Sequence, residues 1–404
     1  MPSRRYLDHA ATSWPKPPEV VAAWQRAALE IGATAGRGLY AASREATAIR
    51  ERARAAAARL LGDVPPERVA LPAGCTLALN MAIHGLARPG DHLIATAADH
   101  NATLRPLHRL AERGLIELSI VPCDATGLVD PAAIAAAWRP ATRLAVISHV
   151  SNVTGVAQDV AAIADIVHVH GGLLVLDAAQ SLGVVPCDTP GWGADVVAAP
   201  AHKWLQGMAG VAMLWARSGV DPEPLVQGGT GTLSESLEMP AAFPARMEAG
   251  SPDVPALAAA EAAFRWLAAR GLEATAAERA GCKPAPTEDR LAARGLEAMA
   301  AASRRLADGL AGRLGELRGV RVIGGTRAAG IVSFVVEGYD PAEVAAILEQ
   351  AAGVEVRAGF HCAACIHEFL GTRAGGTVRA AFGPANEAAD VEAVTTTVES
   401  IRAG

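Results

Sequence analysis

Two stretches decide the fold: residues 173–181 read LLVLDAAQS and residues 195–203 read DVVAAPAHK. Each is a short apolar run that ends in chemically capable residues, Asp177 and Gln180 in the first, His202 and Lys203 in the second. Neither run alternates polar with apolar residues, so both faces are expected to be covered, the pattern of a parallel strand under helices on both sides. Working outward, RVALPAG (68–74), HLIATAADH (92–100), LAVISHVSN (144–152) and GVAMLWA (210–216) share this texture, with Ala- and Leu-rich stretches of helical character between them. The expected class is therefore α/β, a mainly parallel sheet sandwiched by helices. Ligands of such sheets gather at the carboxyl ends of the strands, where Asp99, His100, Ser151, Asn152, Asp177, Gln180, His202 and Lys203 all fall.

Beyond about residue 256 the pattern changes. Long Ala/Leu/Arg-rich helix gives way to RVIG (321–324), IVSFVVEG (331–338), a helix over 341–351, VEVRAG (354–359) and TVRAAFG (377–383), then a terminal helix capped near Asn386. This predicts a smaller α+β C-terminal domain. The division reads as a large domain over 1–260, whose first fifteen or so residues pack on the small one, a helical region over 261–310, and a small domain over 311–404. LAARGLEA occurs at 267–274 and again at 291–298, an offset of 24 residues, and reads as a local duplication lengthening the helical region. Pro284 and Pro286 between the copies are predicted to break the helix.

A chain of 404 residues is too long for one ordinary domain, and its length fits either two domains or one large α/β domain with an appendage. Its 51% apolar content contains no uninterrupted run near twenty residues, which argues against a membrane span. The first residues, MPSRRYLDHAATSWPKPPEV, lack the apolar core of a secretory signal. A net charge of −6 without a Lys/Arg block leaves no footprint for nucleic acid or an anionic membrane. Six cysteines (Cys75, Cys123, Cys187, Cys282, Cys362, Cys365) in such a chain point to a reducing cytoplasm, not to a disulfide framework.

A strand ending in Asp177 and another ending in His202-Lys203, 26 positions further on, suit pyridoxal 5′-phosphate (PLP). The carboxylate can keep the pyridine nitrogen protonated, and the lysine amine can hold the cofactor as a Schiff base. Taken singly, a strand-end lysine is usually a solvated surface group and an Asp after LLVL a helix cap. The context changes that balance. YLDHAATSWPKPPEV (6–20), PAGCTLALNMAIHGL (72–86), DHNATLRP (99–106), HVSNVTG (149–155), AHKWLQGMAGVAML (201–214), QGGTGTLSES (227–236), EAGSPDVPAL (248–257), RAGFHCAACIHEFLGT (357–372) and GTVRAAFGPAN (376–386) follow one another in the order of a known family. Together they resemble the class V aminotransferases of PLP fold type I, specifically the cysteine desulfurase and selenocysteine lyase family.

The resemblance implies a set of roles. His100 stacks on the pyridine and can carry protons, Asp177 pairs with the ring nitrogen, and Gln180 bonds the phenolic oxygen. Thr76, His202 and backbone amides from Cys75 onward hold the phosphate at a helix N-terminus. Thr230 or Ser251 completes that site from the partner subunit of a homodimer. Asn152 and Arg379 take the substrate carboxylate, with Arg357 helping to position the substrate. Cys362 stands where the family has its nucleophile, so the implied reaction converts L-cysteine to L-alanine and leaves persulfide sulfur on Cys362. The short HCAACIH loop resembles the SUF-type branch and implies a sulfur-acceptor protein. Alternatives are a selenocysteine lyase, another class V lyase or aminotransferase, or a non-catalytic scaffold.

Three departures from the family pattern stand out. Pro200-Ala201 precede His202 where many relatives carry a hydroxyl residue for the phosphate, and His9 stands where relatives often have Asn. Cys365 forms a C-x-x-C with Cys362. It can be read as a zinc ligand with His361 and His367, as a resolving thiol, or as a small apolar residue; the last reading is preferred, and no metal is expected.

Overall fold

The computed structural model describes residues 3–36, 38–185, 189, 191–278 and 288–403, with the backbone alone described at 268, 270–278, 288–294 and 403. A seven-stranded sheet runs in the order Val69–Ala70, Ala212–Ala216, Val196–Pro200, Leu173–Asp177, Thr142–Ser148, His92–Thr96 and Glu117–Val121. The five strands from Val196–Pro200 to Glu117–Val121 are parallel, while Ala212–Ala216 turns antiparallel at one side. The Val196 and Ala212 strands are buried throughout, as their apolar runs require, and so is the His92 strand, although His92 and Thr96 at its ends are polar.

Two details differ from the sequence reading. Of RVALPAG only Val69–Ala70 pairs as strand, because the chain then leaves the sheet at Pro72, which has no N–H to give and offers only its carbonyl, to the Ala212 N–H at 2.8 Å. The edge strand Glu117–Val121, ELSIV, was not anticipated: its side chains are largely exposed or half-buried, so it lacks the apolar run by which the inner strands are recognised.

The C-terminal part forms a four-stranded antiparallel sheet in the order Arg357–Gly359, Thr377–Ala381, Ile331–Val336 and Val320–Ile323. VEVRAG divides here: Val354–Glu355 pairs in parallel with Arg5–Tyr6, whereas Arg357–Gly359 joins the antiparallel sheet. Phe334, Val332 and Val378 of that sheet pack with Leu7, Leu310, Leu348 and Val394 in one buried cluster, so the first residues of the chain belong to this core. Helix Pro341–Ala352 starts with a capping box of Asp340 and Glu343 and stops at Gly353, whose φ of 67° is left-handed. Asn386 does not cap the terminal helix Ala388–Ala403. Its Oδ1 accepts the Gly383 N–H and its Nδ2 donates to the Tyr6 carbonyl, fastening the preceding turn, while Asp390 accepts the Glu387 N–H.

Helices Val254–Glu278 and Glu288–Gly315 pack on each other between the two sheets. The two LAARGLEA copies lie on separate helices, and Pro284 and Pro286 fall outside the described residues. Among the described residues no helix is long and apolar enough to cross a membrane.

Candidate active site

A cavity of ≈ 380 Å³ opens at the carboxyl ends of the central strands. Asp177 ends one strand and His202-Lys203 follow the next, so the side chains that the sequence separates are brought to one wall by parallel pairing. Cys75, Thr76, His100, Asn152, Asp177, Gln180, His202, Lys203, Arg357 and Arg379 all line it. Thr230 and Ser251 do not. They lie on one outer ledge, joined where the Gly250 N–H donates to the Gly229 carbonyl at 2.8 Å.

Burial dominates the electrostatics. It raises the Asp177 carboxyl, against the opposing pull of the Ala179 N–H, which donates to Oδ1 at 2.9 Å, and of Lys203. It lowers the Lys203 ammonium, against the attraction of Asp177, so more of the lysine is the free amine that adds to an aldehyde. Burial, then Asp177, pushes the Cys75 thiol well up.

His100 caps helix Asn101–Glu112 through Nδ1, which accepts the Ala102 N–H at 3.0 Å, so the neutral ring carries its proton on Nε2. Burial, with Lys203, Arg357, Arg379 and Arg105 around it, holds this ring down at about 4. Gln180 donates from Nε2 to the Ala10 carbonyl and accepts the Trp204 Nε1–H on Oε1, both at 2.8 Å, leaving one amide N–H for a ligand. His202 meets Thr12 Oγ1 through Nδ1 at 3.1 Å, which leaves its Nε2.

These residues fit PLP. Helix Cys75–Leu86 begins at the cavity without a side-chain cap, so its first N–H groups are available to an anion. A carboxylate for a protonated pyridine, an amine for an aldehyde, and an imidazole and amide with a nitrogen to spare complete the donor set. Pro200 lines the same wall, has no N–H and carries no hydroxyl.

Cys362 is exposed and is not among the residues that line the cavity; it follows His361, which is. His361 and Cys362 both adopt left-handed backbone, with φ of 49° and 59°. Two hydrogen bonds hold the backbone carbonyls of this pair, Asn152 Nδ2 to that of His361 and the Asn101 N–H to that of Cys362, each 2.7 Å. Arg357 Nη2 stands 3.4 Å from Cys362 Sγ. Cys365 is half-buried and packs against the apolar core of the large sheet, and burial raises its thiol. His367 meets Thr372 Oγ1 and the Phe360 carbonyl, while His361 Nε2 faces Thr377.

Arg379 is 1% exposed, and donates from Nη1 to the Asn152 carbonyl at 2.9 Å and from Nη2 to Asp8 Oδ1 at 2.7 Å. Its Nε is buried without a partner. Asp8 was missed as a site residue: nothing local in LDHAATS marks it, and its partner lies 371 residues away. The Ala10 carbonyl was missed for the same reason.

The family model of class-V aminotransferases matches residues 5–285 and 289–394. The chain belongs to that family, and within it to the cysteine desulfurases. It is 31% identical over 403 residues to a probable cysteine desulfurase of Methanothermobacter thermautotrophicus, covering 98% of this chain and 94% of the relative. It is 33% identical to a probable cysteine desulfurase of Pseudomonas aeruginosa, covering 96% and 91%. The solved structure of an apo cysteine desulfurase from Thermococcus onnurineus NA1 superposes with a TM-score of 0.85 at 29% identity, covering 98% of this chain and 94% of that one. The cysteine desulfurase CsdA of Escherichia coli, solved as its S-sulfonic acid, gives 0.83 at 28% identity with the same coverage.

Proposed function

We propose that this chain is a PLP-dependent cysteine desulfurase that converts L-cysteine to L-alanine and carries the released sulfur as a persulfide on Cys362. The observation that carries the reading is the meeting of Lys203 and Asp177 on one wall of a cavity whose lining residue Arg357 stands 3.4 Å from an exposed thiol, Cys362. A transaminase needs the first two; the thiol has work only if sulfur moves.

PLP, when bound, supplies the electron sink that allows bonds at Cα and Cβ of an amino acid to break. Lys203 would hold it by the amine and afterwards carry the Cα proton. Asp177 keeps the ring nitrogen protonated. His100, with its proton fixed on Nε2 by the helix cap, would serve as a donor beside the ring; taking up a proton at Nδ1 requires release of the Ala102 N–H. Asn152 and Arg379 orient the substrate carboxylate. Cys362 Sγ attacks the substrate sulfur: an S–S bond forms, the Cβ–S bond breaks, and its electron pair stays with carbon, which is protonated and leaves as L-alanine.

The outer ledge of Thr230 and Ser251 suits a second copy that completes the phosphate site, so the working unit of this reading is a homodimer. The exposed thiol suits delivery of sulfur to an acceptor protein. A reducing cytoplasm keeps that thiol available. Alanine formation from L-cysteine tests the reading: wild-type protein with PLP forms alanine, and Lys203→Ala and Cys362→Ala do not. Full activity of Cys362→Ala on cysteine would contradict it, and activity confined to selenocysteine would reassign the chain to the lyases.

A further inference from the structure

The segment from Leu7 to Lys16 ties the two sheets together at the site. The Leu7 N–H donates to the Glu355 carbonyl at 2.9 Å and the Ala381 N–H donates to the Leu7 carbonyl at 2.7 Å, so this backbone is fixed on both sides. A few residues on, the Ser13 N–H, Thr12 Oγ1 and Lys16 Nζ all donate to the His202 carbonyl, at 3.0, 3.0 and 2.8 Å, immediately before Lys203. Between these anchors Asp8 reaches Arg379.

The charges around Arg379 are unequal. Among the described residues its one carboxylate is Asp8, while Arg357 shares the cavity wall as a second guanidinium. Two cations facing one carboxylate leave a place for another anion, and an α-amino acid brings one. Asp8 takes one N–H of Nη2 and the Asn152 carbonyl one of Nη1, so three of the five N–H groups remain, with Nε wholly unpartnered. A guanidinium is planar, and fixing two of its nitrogens fixes the direction of the third.

We propose that Asp8 is a positioning residue for the substrate: by holding Nη2 it fixes the plane in which the Arg379 guanidinium presents its remaining N–H groups to the carboxylate of the incoming amino acid. This rests on the reading of Arg379 as the carboxylate site. The backbone anchors at Leu7 and Ser13 make the position of Asp8 independent of its own side chain, so substitution changes the aim of Arg379 without displacing the segment.

The test uses the PLP-loaded protein and calorimetric titration with two small ligands, L-alanine, which has a carboxylate and no thiol, and cysteamine, which has a thiol and amine but no carboxylate. Asp8→Asn is expected to weaken L-alanine by about 10-fold and to leave cysteamine within about twofold, as befits one misdirected charged hydrogen bond. KM for L-cysteine rises in the same variant by more than kcat falls. In the double variant Asp8→Asn/Arg379→Lys, L-alanine binds no more weakly than to Arg379→Lys alone, the non-additivity of groups acting through one another. Equal weakening of both ligands, or additive losses in the double variant, would overturn the proposal. If Arg379→Lys leaves L-alanine unaffected, the carboxylate reading of Arg379 fails and takes the proposal with it; if Arg379→Lys weakens L-alanine and Asp8→Asn does not, the proposal alone fails. Should Asp8→Asn not fold, Asp8→Glu keeps the charge and moves it by one methylene. Weaker L-alanine at an unchanged melting temperature supports the role of Asp8, and unchanged L-alanine refutes it.

Discussion

Asn152 Nδ2 donates to the carbonyl oxygen of His361 at 2.7 Å, and through it a strand-end residue of the large sheet holds the loop that presents Cys362. Left-handed backbone at two successive non-glycine residues costs about 1–2 kcal/mol each, so the loop keeps its shape only while something outside it holds it. Asn152→Ala removes one of the two holding bonds. The expected result is a fall of at least about 10-fold in persulfide formation, since one loop bond and one contact to the substrate carboxylate are lost together. Faster amide exchange at 361–363 in the variant is the accompanying sign; unchanged exchange and unchanged sulfur transfer would remove Asn152 from the account.

Asp177→Asn separates structure from chemistry at the cofactor ring. An amide oxygen can still accept the Ala179 N–H, so the strand end is preserved. An uncharged side chain cannot keep a pyridine nitrogen protonated, and kcat is expected to fall by at least about 100-fold. Loss of the carboxylate also lets burial lower the Lys203 ammonium further, since Asp177 is the main group opposing that shift. The check is alanine formation beside the absorbance of the bound cofactor: near-normal turnover would contradict the pairing.

The pH dependence of stability has a sign that follows from burial. His9 and His149 lie outside the cavity, and burial holds both rings at about 4, against an ordinary 6.5; Lys16 adds to the effect on His9. The unfolded chain binds these protons first, so the stability is fully present above about pH 6.5 and is lost as pH falls toward about 4. His149→Phe keeps an aromatic edge on Trp192, whose ring lies 4.6 Å from that of His149, and removes one proton from the balance. Between about pH 6 and 4.5 the stability of the variant, from urea unfolding, should fall less steeply than that of the wild type by about 1.4 kcal/mol per pH unit. Parallel slopes would contradict the buried neutral histidine.

Much of the site was legible because its residues stand at the ends of apolar runs. Asp177, His202 and Lys203 are local features of two strings, and parallel pairing brings them together without further information. Sheet edges were harder to read: Glu117–Val121 is half wet and carries no apolar signature, and VEVRAG gives no sign that its halves join different sheets. Long-range side-chain pairs were not legible at all. The pairing of Asp8 with Arg379 depends on insertion of the first segment beside Ala381, a tertiary event that no local pattern encodes.

The cysteine that accepts sulfur distinguishes a desulfurase thiol from a bystander. The purified protein, supplied with PLP and L-cysteine and then digested under conditions that preserve persulfides, is mapped by mass spectrometry. The expected result is one added sulfur atom, located on Cys362 by fragmentation of the peptide that carries both Cys362 and Cys365, and none in Lys203→Ala. Sulfur found on Cys365 or Cys75 with Cys362 unmodified would contradict the central claim.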